Sequence, residues 1–242
     1  MSKPRAKSSV RSQDDRAGSG GPKGFSPEVL IRIALDLHEK EGPEGFGVRA
    51  LARCVGCDPM AVIYHFGSKE GLERAMADAI NAELRLLDRS VGWRDRLRGL
   101  AMQYRDLALR YPRSFSLLTR FWVTGPADYR HAEEVYAALK DAGNNSEAVV
   151  DLCFGWYASV LGLATAEAGG LLRPASEAQL REVRALSPTQ FPITTGLLSQ
   201  FERQEAGRVY ALMVDMLIEA IASRTSVGGG AASTRRGGRR AG

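Results

Sequence analysis

The stretch Val48-Arg-Ala-Leu-Ala-Arg-Cys-Val-Gly-Cys-Asp-Pro-Met-Ala-Val-Ile-Tyr-His-Phe-Gly-Ser-Lys69 reads as two short helices joined by a tight turn, with a third helix starting behind them. That is the plan of a DNA-reading helix-turn-helix. Leu51, Ala52 and Val55 recur at helical spacing, Gly56 supplies a permissive backbone at the turn, and Asp58-Pro59 offers an N-cap followed by proline at the first helical position. A second helix therefore starts at once, at a large angle to the first. Val62 and Phe66 are four apart and can face the core, which leaves Met60, Ala61, Tyr64 and His65 pointing where a major groove would meet them.

Working outward, Ser26-Pro27 marks a helix start, Leu30, Ile33, Ala34 and Leu37 an apolar face, and Gly42-Pro43 a stop. On the other side, Gly67-Ser68 precedes a helix from near Lys69, in which Leu72, Ala75, Met76, Ala79, Ile80, Leu84 and Leu87 predict several turns. Such a helix is long enough to connect a small domain to a second one. Trp93 to Arg110 repeats the pattern and stops at Tyr111-Pro112, Ser114 to Val123 is shorter, and Thr124-Gly125-Pro126 is a break. Tyr129 to Ala142 and Ser146 to Gly169 read as two further helices. The second is apolar nearly all round and must be buried inside a large domain or against another chain. Pro174, Pro188 and Pro192 limit Leu171 to Ser199 to one short helix at Ser176 to Leu186, and Phe201 to Arg224 reads as a last amphipathic helix. No strand pattern competes, so the expected fold is all-α.

The chain of 242 residues is 44% hydrophobic, which supports a real core in one large or two modest domains. Its charge of +5 is uneven: Met1 to Gly24 holds six basic residues against two acidic, Thr225 to Gly242 holds four arginines, and the body between them carries −3. Both ends are rich in Gly, Ser, Ala and Arg and are expected to be flexible tails. The high pI is then weak evidence for nucleic-acid binding. Three cysteines exclude a disulfide framework and fit a reducing cytoplasm, and Cys153 resembles a small buried hydrophobe. The basic N-terminus has no apolar stretch of a signal peptide, so export is not expected. Leu152 to Ala166, between Asp151 and Glu167, falls short of the roughly twenty residues a bilayer requires. It is read as a buried helix, and no membrane partner is expected.

These residues resemble the TetR family of one-component bacterial transcription regulators, most densely from Val48 to Leu72. The family pattern has a basic or small polar residue opening the second helix, Leu-Ala inside it, Gly at the turn, an aromatic-His-Phe run ending the recognition helix, and Lys at the start of the fourth. Here those are Arg49, Leu51-Ala52, Gly56, Tyr64-His65-Phe66 and Lys69. The family usually has tyrosine two residues before the histidine, where this chain has Ile63. The resemblance implies a homodimer through the helices near 146–169 and 201–224, and a ligand cavity walled by the middle helices. It also implies an effector that tilts the connector helix and so resets the spacing of two reading heads. The domain plan is then a flexible basic tail over 1–24, a helix-turn-helix domain over 25–70, a helical ligand-binding and dimerisation domain over 71–224, and a flexible Gly/Arg-rich tail over 225–242.

Candidate DNA contacts are Arg49, Asp58, Pro59, Met60, Ala61, Tyr64, His65 and Lys69. Tyr64 and His65 are either contacts or ordinary surface groups, and in this motif contact is favoured, to phosphate before base edges. Lys69 at a helix start can combine its charge with free backbone N–H groups to hold a phosphate, where the plain alternative is a solvated lysine. Pro59, Met60 and Ala61 cannot make the bidentate hydrogen bonds that read guanine or adenine, so thymine methyls and backbone shape are expected to carry readout. Cys54 and Cys57 form a lone C-x-x-C without metal-ligand spacing to His38, His65 or His131, and no metal or other cofactor is expected. Candidate cavity residues are Tyr104, Arg105, Phe115, Leu118, Phe121, Trp122, Tyr136, Cys153, Trp156 and Tyr157, with Arg105, Arg120 or Asp151 as polar anchors. Their aromatic weight points to an apolar or planar ligand. The expected function is a cytoplasmic, ligand-responsive repressor bound as a homodimer to a palindromic double-stranded operator, and not an enzyme. Two alternatives stand beside it: a non-specific architectural DNA binder using the tails, and an all-α ligand-binding or enzyme domain without a regulatory role.

Overall fold

A computed structural model of the protein describes residues 25–233, with side chains through Arg224. The expected tail over 1–24 and residues 234–242 lie outside the described residues. Among those described there are helices and no strands, as the periodicity predicts. Helix α1 spans Pro27–Gly45, capped by Ser26 and kinked at Gly42; α2 spans Val48–Val55, α3 Pro59–Phe66 and α4 Lys69–Asn81. They bury Leu30, and bury Ala34, Leu35, Phe46, Leu51, Ala52, Val62 and Leu72 in a core that continues into the larger half. Next come α5 at Trp93–Arg110, a single 3₁₀ turn at Phe115–Thr119, α6 at Pro126–Asp141 and α7 at Ser146–Ala168. The short helices α8 at Glu177–Arg184, α9 at Pro192–Gly196 and α10 at Leu198–Glu202 lead to the last helix, α11, at Arg208–Ser233.

In the larger half, α5 packs against α6, α7 and α11, and α4 packs against the 3₁₀ turn and α6. Trp156, Tyr104, Tyr210 and Phe115 are its largest fully buried side chains. A buried Arg96 on α5 donates to Glu134 of α6 at 2.8 Å and pairs with Asp141 at the end of the same helix. Two anchors hold the small half to the large one. On α1, Glu39 accepts the backbone N–H groups of Arg113 and Ser114 at 3.2 and 2.7 Å, and the His38 ring meets the Ser114 hydroxyl at 2.9 Å. The second anchor, on α4, forms part of the cavity.

Several boundaries differ from the sequence reading. The connector helix ends at Asn81 instead of running to Leu87, because the Asn81 side chain turns into the larger half and bonds there; Leu84 is still buried, but from a non-helical segment. Ser114 to Val123 holds only a 3₁₀ turn. The last helix starts at Arg208 instead of Phe201, after a break at Gly207, whose φ of 78° ends helical propagation. It then runs on to Ser233, so residues 225–233, expected as tail, are helical. Helix α7 is long and apolar enough by composition to cross a membrane, with 23 residues and a stretch of mean hydropathy 1.5, yet Val149, Cys153, Trp156, Val160 and Ala164 pack into the core. It is not enclosed on all sides: Val150, Phe154, Gly155, Ala158 and Gly162 are exposed.

His131 of α6 is buried and its Nδ1 finds no partner. Burial, reinforced by Arg130, pushes its imidazole down from 6.5 to about 4. The unfolded chain therefore binds this proton first as pH falls, so stability declines from about pH 6.5 downward. Thermal melts between pH 7 and 5 should show a falling midpoint that is flatter in His131→Leu. Parallel slopes in the two proteins would mean that His131 is protonated without cost in the fold.

Candidate nucleic-acid interface and ligand cavity

The turn between α2 and α3 is made as the sequence predicts. Gly56 closes α2 in the left-handed conformation at φ 70°, which a side chain would strain. Asp58 then caps α3, its Oδ1 accepting the Met60 N–H at 2.7 Å, with Pro59 at the first helical position. Val62 is fully buried in the core and Phe66 is half-buried beside it. The opposite face of α3 is presented outward: Met60 is 68% and Tyr64 87% exposed, His65 is exposed, and Tyr64 stacks edge-on against His65 at 5.7 Å. An 87% exposed tyrosine buries almost none of its ring in its own chain, so nothing in the fold accounts for it.

Arg49 is exposed in the first turn of α2, and Lys69 opens α4, where the Ser68 hydroxyl caps the Gly71 N–H at 3.0 Å. Lys69 is not simply solvated. Its ammonium lies 3.6 Å from Oε1 of Glu73, one turn along the helix, and Glu73 is only 4% exposed. Asp58 differs from the other candidates, since its carboxylate is occupied with capping. Its place at this interface is to fix where α3 begins.

The second feature is a cavity of about 500 Å³ between α4, α5, the 3₁₀ turn, α6 and α7. That volume lies within the range of drug-sized ligand sites. Of the sequence candidates it brings together Tyr104, Leu118, Arg120, Phe121, Trp122, Tyr136, Cys153 and Tyr157. Trp122 is 82% exposed at the lining and Tyr129 is also exposed. Tyr104 meets Tyr157 edge-on at 6.0 Å, and burial pushes both phenols well above their ordinary range, so both stay neutral donors.

Four candidates lie elsewhere. Phe115 and Trp156 are packed into the core and do not line the cavity. Arg105 sits one position past Tyr104 on α5 and grips Glu167 with two hydrogen bonds of 2.7 Å, so its guanidinium is spent on joining α5 to α7. Asp151 is exposed and does not line the cavity either.

Sequence reasoning missed Asn81, Asp128 and Tyr129. Asn81 belongs to the second anchor, on α4, and Asp128 to the corner at the start of α6 that this anchor grips. The Asn81 amide donates to the Thr124 hydroxyl at 3.0 Å, and Tyr104 donates to Asn81 Oδ1 at 3.4 Å. Asp78 accepts the Ala127 N–H at 3.0 Å, while Asp128 accepts the Thr124 N–H at 3.0 Å. Gly125 allows this, since a Cβ there would lie 2.5 Å from the Asp78 carboxylate carbon. Burial, with Asp78 nearby, raises the Asp128 carboxyl above its usual range. The missed signal was the Thr124-Gly125-Pro126 break itself, read only as a stop.

Cys54 is exposed and Cys57 half-buried, both as free thiols, and no group of three or more His, Cys, Asp or Glu is clustered for a metal among the described residues.

Residues 30–76 match the model of bacterial regulatory proteins of the tetR family, and residues 88–224 match the tetracyclin repressor-like C-terminal domain. A relative described as an HTH-type transcriptional regulator, from Saccharopolyspora erythraea, is 26% identical over 120 residues, 49% of this chain and 51% of that protein. The class A tetracycline repressor protein from transposon 1721, in Escherichia coli, is 36% identical over 90 residues, 36% of this chain and 42% of that protein. The chain thus spans about half the length of these curated relatives, or less. In fold it is similar to the TetR family protein ActR of Streptomyces coelicolor, solved in complex with (S)-DNPA, at a TM-score of 0.72 and 16% identity over 82% of this chain and 98% of that one. Mycobacterium smegmatis BioQ has a TM-score of 0.65 and 19% identity over 82% of this chain and 98% of that one.

Burial pushes the Cys153 thiol, at the cavity wall, up to about 11. At pH 7.5 iodoacetamide should therefore modify Cys54 first and Cys153 last, as read by peptide mass spectrometry. Rapid modification of Cys153 would show that the cavity opens to solvent.

Proposed function

The chain belongs to the TetR family of bacterial regulatory proteins, and from that premise we propose that it is a ligand-responsive transcriptional repressor binding a palindromic operator as a homodimer. The observation that carries this reading is the joining of an outward-facing α3 to an aromatic cavity through one helix, α4. In this reading Arg49, Tyr64, His65 and Lys69 hold the DNA backbone. Pro59, Met60 and Ala61 touch base edges through apolar contact, and Asp58 sets the start of the reading helix. Such work lies in the cytoplasm, where bacterial DNA is.

Dimerisation is assigned to the faces of α7 and α11 that the single chain leaves exposed. On α7 these are Val150, Phe154, Gly155, Ala158 and Gly162; on α11 they are Leu212, Met213 and Met216. The two helices pack on each other, so their apolar faces can form one surface for a second copy. Two copies of α3 must then fall about 34 to 36 Å apart, one turn of DNA, or a multiple of it, to reach both half-sites. The effector is an apolar or aromatic molecule in the cavity, which on entering shifts α4 and with it that spacing. Ligand and operator then oppose each other reciprocally, by about 1 to 3 kcal/mol in typical cases.

Selection from a random duplex pool at about 0.15 M salt tests this, since screening there suppresses loose charge contacts. A two-fold symmetric site should be enriched. Lys69→Ala should weaken binding across sequences and lower the salt slope by about 1, and Tyr64→Ala should also weaken it. Leu212→Glu with Met216→Glu should give a monomer in sedimentation and lose the paired site. No enrichment of any sequence would overturn the regulator reading.

A further inference from the structure

Glu73 is an anomaly on α4. It is the one acidic side chain among the buried residues of that helix, with 4% exposure, beside apolar Leu72, Met76, Ala77 and Ile80 and neutral Asn81. Burying a charge is costly unless it is paired, and Glu73 is paired twice. Its Oε2 accepts from Nη1 of Arg120 at 2.6 Å, and its Oε1 lies 3.6 Å from the Lys69 ammonium. His38 is the other titratable group that senses it, and its ring is committed to Ser114. The two cations sit in different places: Lys69 opens α4 beside the outward face of α3, while Arg120 lines the cavity.

Among the described residues Arg120 is the one arginine or lysine in the cavity lining. A guanidinium carries five N–H donors in a planar fork, and one of them is used here, by Glu73. Its carbon lies 5.8 Å from the centre of the Phe121 ring, so the fork sits against an aromatic wall. The other charged group, Asp128, is already supplied by the Thr124 N–H and by its place in the first turn of α6. The cavity therefore offers spare donors at a permanent cation beside the Phe121 ring. The matching ligand is a planar aromatic acid, whose carboxylate accepts bidentately from the fork while its rings stack on the lining.

We propose that Glu73 is a positioning residue shared between Arg120 and Lys69, and that an aromatic carboxylate in the cavity draws Arg120 away from it, so that Glu73 retains Lys69 and weakens its hold on DNA phosphate. This rests on reading the cavity as the effector site. A buried carboxylate deprived of one cation leans harder on the other, and Lys69 cannot serve Glu73 and a phosphate equally well. Arg120→Gln reproduces the liganded state without ligand, and Glu73→Gln removes the shared partner, so Lys69 no longer responds to what happens at Arg120.

The ligand arm of the test needs no DNA. Fluorescence titration of the full chain compares anthracene-2-carboxylate with its neutral isostere anthracene-2-carboxamide. The acid should bind at least about tenfold more tightly, Arg120→Gln should level the two, and Arg120→Lys, which keeps the charge, should retain part of the preference. Equal binding of the two probes, binding of neither, or a preference that survives in Arg120→Gln overturns the acid class. The DNA arm uses the selected duplex. Arg120→Gln should lower its affinity by about threefold to tenfold in the native background and have no effect in the Glu73→Gln background. An equal effect in both backgrounds, or a lowered melting temperature with unchanged DNA affinity, makes the ion pair a strut and overturns the relay. Failure of the protein to select any duplex refutes the regulator reading instead, and leaves the ligand arm to be read by itself.

Discussion

The fastening of α4 to the corner at Thr124–Ala127 is the link between the two halves of this protein that lies at the cavity. Asn81 and Asp78, one turn apart or less on that helix, hold the Thr124 hydroxyl and the Ala127 N–H across a contact so close that a side chain at residue 125 would push the Asp78 carboxylate out of place. Each hydrogen bond contributes about 1 kcal/mol net. Removing one partner leaves the other buried and unmet, at a cost of about 1 to 3 kcal/mol. The end of α4 therefore moves with the corner or not at all. The same corner carries Asp128 and continues from Arg120, Phe121 and Trp122 of the cavity lining, so filling the cavity acts directly on the segment to which α4 is tied.

Magnitudes decide what each contact can do. Coupling between ligand and operator of about 1 to 3 kcal/mol is within reach of two or three buried hydrogen bonds, but not of surface ion pairs worth about 0 to 1 kcal/mol. Arg120 and Lys69 are both about half-exposed, and what gives their pairing weight is the burial of the Glu73 carboxylate between them. The relay adjusts one phosphate contact. The larger displacement of the reading head is assigned to the packed contacts of α4 with the 3₁₀ turn and α6. The α1 anchor through Glu39 and Ser114 limits that motion, because it ties the small half to the larger one away from α4.

Local chemistry made much of this legible. Asp58-Pro59 and Gly56 mark the turn between α2 and α3 within a residue, and α5 begins and ends where Trp93 and Tyr111-Pro112 say it should. What the sequence hides are outcomes decided by distant partners. Leu84 and Leu87 continue the helical spacing of α4, and no Gly or Pro stops it; the helix ends because Asn81 bonds to a residue 43 positions away. Glu73 carries no signal in the sequence, because its partner Arg120 lies 47 positions away. Among the cavity candidates, Phe115, Trp156 and Arg105 were chosen by residue type, which cannot tell the wall of a cavity from the core behind it. Where Tyr104 and Arg105 stand side by side on α5, about 100° of helical rotation separates a cavity residue from a structural ion pair. The outward face of α3 was legible for the opposite reason, since exposed Tyr64 and Met60 break the rule that large apolar groups turn inward.

The central claim is that two reading helices are held at one spacing by a dimer and that the matching DNA selects it. Spin labels on exposed Cys54 of α2, with Cys57 and Cys153 replaced by alanine, report the separation of the two heads by pulsed dipolar spectroscopy. The account predicts a dipolar signal from the free protein that narrows to a single distance with the selected duplex, and not with a scrambled duplex of equal length. No dipolar signal, or a distribution that responds equally to both duplexes, would contradict it.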